Sequence, residues 1–453
     1  MTPPKRQLGF GITAAIVVAN MIGTGIFTGT GYNAHDLHDP LTILIAWAIG
    51  GVVALCGAAC YAELGTLMPK AGGEYVYLRE AYHPALGFMS GWVSMTAGFS
   101  AAIAAAAISF ATYVSALLGA GGDPTTQKLV ASALIVAVTC LHAFDTKVGG
   151  RVQEVFTILK VALIVVFIGA GLLSGNGDWS NFESQGGGLS NITTTSFGIS
   201  LMYISFAYSG WNAAAYIAGE VDKPEKTLPR ALLVGTATVT ALYVLLNVIY
   251  FYAVPSSVLA GPTDSFNPVK EVGHAAAVVL FGTKGGNLIT SLIAIALVSA
   301  VSAMIMAGPR VYAAMASDRA LPHQLAWYSK RGVPTVAVIT QGVLGIAFVL
   351  VGDLGQLIRF AGFTLAVFAA LTVGALFILR RRGLRGPYKT FGYPLTPLVF
   401  IAVSIWIAYA QFKQNPMELL VVGGVLVAGG IGYVLLVRPE RSTKLPEARA
   451  VDE

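Results

Sequence analysis

Ala19-Asn20-Met21-Ile22-Gly23-Thr24-Gly25-Ile26-Phe27 interrupts the first long apolar segment, residues 9–31, and its reading decides the fold. In hydrocarbon every backbone N–H and C=O needs a partner, so unwound backbone is tolerated only where it lines a cavity or is buried in protein. Gly23 and Gly25 lack the Cβ that resists unwinding. Thr24 adds a hydroxyl, and the amides that open the following half-helix would face an arriving anion. The bland alternative is that these small residues only let two membrane helices pack closely. A second glycine-centred break half a chain away, Phe206-Ala207-Tyr208-Ser209-Gly210-Trp211-Asn212, favours the first reading.

Composition sets the class. Of 453 residues, 55% are hydrophobic and 11% charged, against about 25% charged in a soluble domain. The apolar runs are continuous over about 20 residues, which fits helices rather than a barrel. The expected fold class is therefore an all-α polytopic membrane protein. Cys56, Cys60 and Cys140 all fall inside apolar runs without CxxC spacing, so they read as packing residues. Residues 1–9 precede no cleavage-like site, and the first helix is expected to be retained.

Twelve transmembrane spans are expected: 9–31, 41–68, 85–118, 128–144, 153–174, 195–219, 230–254, 275–315, 335–351, 356–379, 394–412 and 417–437. Lys and Arg set the orientation. With the N-terminus inside, 22 of the 28 fall in cytoplasmic segments and only Lys128, Lys270, Lys284 and Lys413 lie outside. Both termini are thus expected in the cytoplasm of a cell (inner or plasma) membrane. The net charge of +6 is a topology signal, and no nucleic-acid partner is expected.

The second break opens the sixth span, so spans 1–5 (residues 9–174) and 6–10 (195–379) would be two copies of one unit. Five is odd, so the second copy must be inverted. Interrupted helices at matching positions of inverted halves point to a transport site near the midplane. Residues 394–437 supply spans 11 and 12, and 438–453 form a polar cytoplasmic tail.

The chain also resembles the amino acid-polyamine-organocation superfamily, and within it the L-type amino acid transporter branch. The matching residues are Gly23-Thr24-Gly25-Ile26-Phe27, Cys60 to Thr66 running into Pro69 to Tyr75, and Val152-Gln153 with Phe156-Thr157 and Lys160. Further on come Phe206 to Asn212, Gly219-Glu220-Val221 to Pro229-Arg230, and Ser317 to Pro322. The resemblance implies a five-plus-five inverted-repeat fold and a permease with an amino acid substrate. It places the substrate carboxylate on Thr24 and Gly25 with Gly23 close by. The ammonium would meet carbonyls of Met21 or Ile22 and of Phe206 and Ser209, with the Phe206 ring as a cover.

Lys160 lies nine residues beyond Arg151, about 13.5 Å into a hydrocarbon layer about 30 Å thick. An ionisable residue at that depth marks a function by default. In some relatives a lysine at the matching position takes the place of a bound sodium ion between spans 1 and 8, where Ser299 and Ser302 would be neighbours here. It would either carry a proton through the cycle or stay charged, giving proton coupling or exchange. A lysine tilted into a water-filled vestibule is the plainer alternative.

Other constellations are weaker. His35-Asp36-Leu37-His38-Asp39 has metal-like spacing but reads as a solvated loop. Glu63 and Glu74 read as gate or loop contacts, and Arg359 as a snorkelling interfacial anchor. None of the six histidines forms a hydrolase motif, and a lone midplane cation argues against a channel. No enzyme activity, cofactor or metal is expected. Spans 3, 8 and 10 carry no Asp or Glu in their central stretches, and Asn212 follows the second break, so a neutral substrate is expected over a cationic one or a polyamine.

Overall fold

A computed structural model describes residues 8–70, 72–119, 123–144, 146–183, 188–262, 265–329 and 331–437, without the side chains of 144, 146–154, 188 and 189. Lys5, Arg6, the tail 438–453 and the side chains of Lys147, Arg151, Val152 and Gln153 therefore lie outside it.

The chain is helical almost throughout. The first apolar segment gives two helices, α1 (Phe10–Met21) and α2 (Thr24–Leu37), followed by α3 (Pro40–Leu67), α4 (Glu74–Ala81) and α5 (Pro84–Val93). A π-helix over Ser94–Ala101 leads into α6 (Ala102–Leu118), then α7 (Pro124–Phe144) and α8 (Thr146–Leu173). The second half runs α9 (Thr195–Tyr208), α10 (Ala213–Tyr216), α11 (Pro224–Ala253), α12 (Ser256–Ala260) and α13 (Val272–Ser317). It closes with α14 (Thr335–Val351), α15 (Leu354–Arg381), α16 (Leu395–Gln414) and α17 (Pro416–Leu436).

Local chemistry sets several starts. Asp39 accepts from Thr42 N at 2.9 Å and Pro40 occupies the first turn of α3, where its missing N–H costs nothing. Asp353 and Gln356 form a reciprocal capping box on α15. The 46-residue α13 is kinked where Gly282 takes φ +69°, a backbone conformation that glycine adopts without a Cβ penalty.

Among the described residues, ten helical stretches are long and apolar enough to cross a membrane. The expected spans at 195–219 and 335–351 are shorter as helices: α9 has 14 residues before its break, and α14 has 17. Exposed apolar side chains such as Leu420, Val427, Val434 and Leu435 on α17 form an outer surface suited to lipid. Inward, α2 packs on α9, α1 on α11, and α13 on α6 and α8. Those contacts bring the two halves of the chain together around both breaks.

Candidate functional site

Helix α1 makes its last turn when Ile22 N bonds Val18 O at 3.0 Å, after which Ile22 turns extended with ψ 105°. Gly23 is extended too, and α2 starts at Thr24. The opening amides of α2 have no helical carbonyl behind them. In the second break Ser209 is extended and Gly210 takes φ +98°. A Cβ on Gly210 would stand 2.6 Å from Asn20 O, and one on Gly25 would overlap the Ala207 backbone. Glycine is required at both places because the two breaks touch.

Tyr243 from α11 ties them together. Its hydroxyl donates to Met21 O at 2.6 Å and approaches Ala207 O at 3.3 Å. Sequence reading passed over this residue, although a tyrosine hydroxyl in mid-span needs a buried partner. Tyr243→Phe removes a bond worth about 0.5–1.5 kcal/mol and strands a buried acceptor. The purified protein should melt at lower temperature, and an unchanged melting curve would show that the bridge holds nothing.

Lys160 is buried, and its ammonium donates to Ile22 O at 3.1 Å and Ala19 O at 3.3 Å. These are carbonyls at the C-terminal end of α1, the negative pole of that helix. Gly23 lies across from α13, where a Cβ would meet Ala300 Cβ at 3.5 Å. Ser302 is bonded to His142 Nε2 at 2.8 Å, and Ser299, one turn earlier on α13, is also buried. Lys160 thus sits at the end of α1, and Ser302 answers to α7.

A cavity of about 110 Å³ opens beside the second break. Asn20, Ser94, Gly98, Phe99, Ser209 and Asn212 are among its lining residues. The π-helix contributes because its wide turn shifts Ser94 and Phe99 out of α-helical register; Ser100 Oγ reaches back five residues to Met95 O at 2.7 Å. Of the expected substrate contacts, Ser209 lines this cavity. Gly25 packs on Ala207 of α9, and Thr24 and Phe206 are buried, 4% and 7% exposed, outside the cavity lining. Thr24 Oγ1 is buried there without a hydrogen-bond partner.

Glu74, read as a gate or loop contact, lines the cavity. Two expectations are corrected. Arg359 does not snorkel: it donates to Glu418 Oε1 at 2.6 Å and to Tyr203 Oη at 2.8 Å, because α17 brings an acid to it. Tyr203 in turn stacks on Tyr32 with ring centres 4.8 Å apart, closing α9 over α2. Residues 35–37 are not a solvated loop but the last turn of α2, with Asp36 only 7% exposed at its side chain. No metal-binding cluster occurs among the described residues. Glu63, by contrast, does make a tertiary contact, a paired bond to Arg380 at 2.8 and 2.6 Å.

A helical membrane bundle whose backbone opens where two helices cross beside a cavity with polar groups in its wall has the form of a carrier for small solutes. The chain belongs to the amino acid permease family, whose sequence pattern matches residues 8–435. It is 31% identical to the serine/threonine exchanger SteT of Bacillus subtilis, over 91% of this chain and 93% of that one. It is 30% identical to the mouse b(0,+)-type amino acid transporter 1, over 96% and 89%. The rat large neutral amino acids transporter small subunit 2 is 27% identical over 89% and 76%. The protein is accordingly a multi-pass amino acid permease close to the L-type branch, and its family and relatives are transporters rather than enzymes.

Proposed function

We propose that this permease moves neutral L-amino acids across the cell membrane by alternating access, without sodium, through exchange or proton coupling. The observation that carries the reading is the buried, unpartnered hydroxyl of Thr24 at the open N-terminus of α2. That end of a helix suits a carboxylate. Gly25 and Gly23 would complete the anion site, and carbonyls of Met21 or Ile22, Phe206 and Ser209 would receive the ammonium. Phe206 would cover the bound molecule. Lys160 places an ammonium at the end of α1, where a carrier of this design would otherwise need a metal cation.

The same reading takes α9 with α10, and α14, as spans six and nine of twelve, arranged as two inverted five-span repeats with both termini inside. Neutral selectivity is supported by the lining: among the described residues Glu74 is its one carboxylate, and that group already holds Tyr61 and Asn212. The printed substrates of two relatives, serine/threonine and large neutral amino acids, point the same way.

The test is uptake of labelled alanine into proteoliposomes with serine, leucine, arginine and putrescine as competitors at equal concentration. Neutral amino acids should compete best. If arginine or putrescine inhibits best and the neutral ones hardly compete, the assignment is wrong. Thr24→Ala should raise the apparent KM by about 10- to 100-fold at intact expression, since a hydrogen bond to a charged group is worth about 1.5–3 kcal/mol. An unchanged KM would move the carboxylate site elsewhere.

A further inference from the structure

The segment between α15 and α16 carries a charge that the reading above leaves without a use. Residues 380–395 hold Arg380, Arg381, Arg382, Arg385 and Lys389 and no Asp or Glu, whereas in 222–230 the cations Lys223, Lys226 and Arg230 are interspersed with Asp222 and Glu225. Arg380 is neutralised by its paired bond to Glu63. Among the described residues none of the other four pairs with a carboxylate. All four are exposed, and Arg382 donates to a backbone oxygen, Glu80 O, at 2.9 Å.

The segment is fixed on the C-terminal end of α3. Thr390 N donates to Glu63 Oε2 at 2.6 Å and Thr390 Oγ1 to Ala59 O at 3.3 Å. Gly386 lies so close that a Cβ would stand 2.8 Å from Glu63 O. Beside the cations, Phe391 and Leu395 are 85% and 67% exposed. Leu395 opens the exposed apolar row of α16 that runs on through Leu398, Ile405 and Phe412, a face suited to lipid. The cations therefore stand at the end of that row, where hydrocarbon gives way to headgroups.

We propose that this segment is a docking platform for anionic phospholipid, with Arg381, Arg385 and Lys389 taking the headgroup phosphate while Phe391 and Leu395 lie among the first carbons of its chains. Guanidinium groups donate to phosphate oxygens in pairs, and a lysine adds a point charge. An aromatic ring beside cations suits the boundary of headgroups and hydrocarbon. In the orientation proposed above the leaflet is the cytoplasmic one. Positive charge anywhere in the loops of that side serves to orient a chain during insertion. A fixed platform that excludes acids and sets its cations beside an apolar anchor goes further, because it holds a lipid in the folded state.

Lipid adducts are counted by native mass spectrometry on the purified full chain in micelles holding equal phosphatidylglycerol and phosphatidylcholine. The parent should retain phosphatidylglycerol at least about tenfold over phosphatidylcholine, and the triple substitution Arg381→Gln, Arg385→Gln and Lys389→Gln should bring the ratio below about threefold. The control triple, Lys223→Gln, Lys226→Gln and Arg230→Gln, should leave it unchanged. Excess glycerol 3-phosphate, which carries the phosphate without the chains, should not displace the lipid. A parent ratio near one, a ratio that survives the first triple, or an equal fall in both triples overturns the platform. So does full displacement by glycerol 3-phosphate, in favour of a site for free phosphate. The parent ratio decides even if a variant does not assemble, and since no transport enters the readout, the substrate assignment stands or falls separately.

Discussion

Gly25→Val should abolish uptake, with a loss of at least about 100-fold, while Gly23→Ala should cost less than about tenfold. The two glycines are two residues apart but meet different surroundings. A Cβ on Gly25 would lie inside the Ala207 backbone, with Ala207 N itself at 3.0 Å, and backbone cannot step aside as a flexible side chain can. Valine would therefore push α2 off α9 and separate the breaks that Tyr243 holds together. A Cβ on Gly23 meets only Ala300 Cβ at 3.5 Å, an ordinary contact. Initial rates in proteoliposomes, normalised to inserted protein, give the comparison. Parental uptake by Gly25→Val at limiting substrate would remove the first break from the site.

Lys160→Ala should cripple net transport by at least about 100-fold, and sodium should not stimulate the parent. The ammonium is buried and donates to two carbonyls at the end of α1, Ala19 O and Ile22 O. Alanine leaves both facing a low-dielectric space, at about 1–3 kcal/mol for each unpaired polar group. It also removes the ammonium that faces the helix pole. Uptake into vesicles with and without internal substrate, repeated with and without a pH gradient, separates exchange from proton coupling. A clear sodium dependence counts against the lysine as a stand-in cation, and an unimpaired Lys160→Ala carrier sinks the idea.

The membrane class, the positions of both breaks and the place of Lys160 inside the bundle were legible in the sequence by itself. Each rests on a local property: continuous apolar length, glycine where a helix must open, and a charge counted in helical rise from Arg151. The family followed in part from the same stretches, since two of its motifs lie where the breaks do. What touches what was decided by tertiary structure alone. Nothing local in Glu74 distinguishes a loop acid from a cavity wall, because α10 must return beside α4 before Asn212 can reach it. Arg359 read as an anchor because Glu418 is 59 residues away, and only the packing of α17 on α15 brings an acid to its guanidinium. Gly25 needed Ala207, and Met21 needed Tyr243, 222 residues apart. Sequence spacing measures distance along a helix, whereas the site is built where helices cross, so its partners are set by long-range packing that no single stretch encodes.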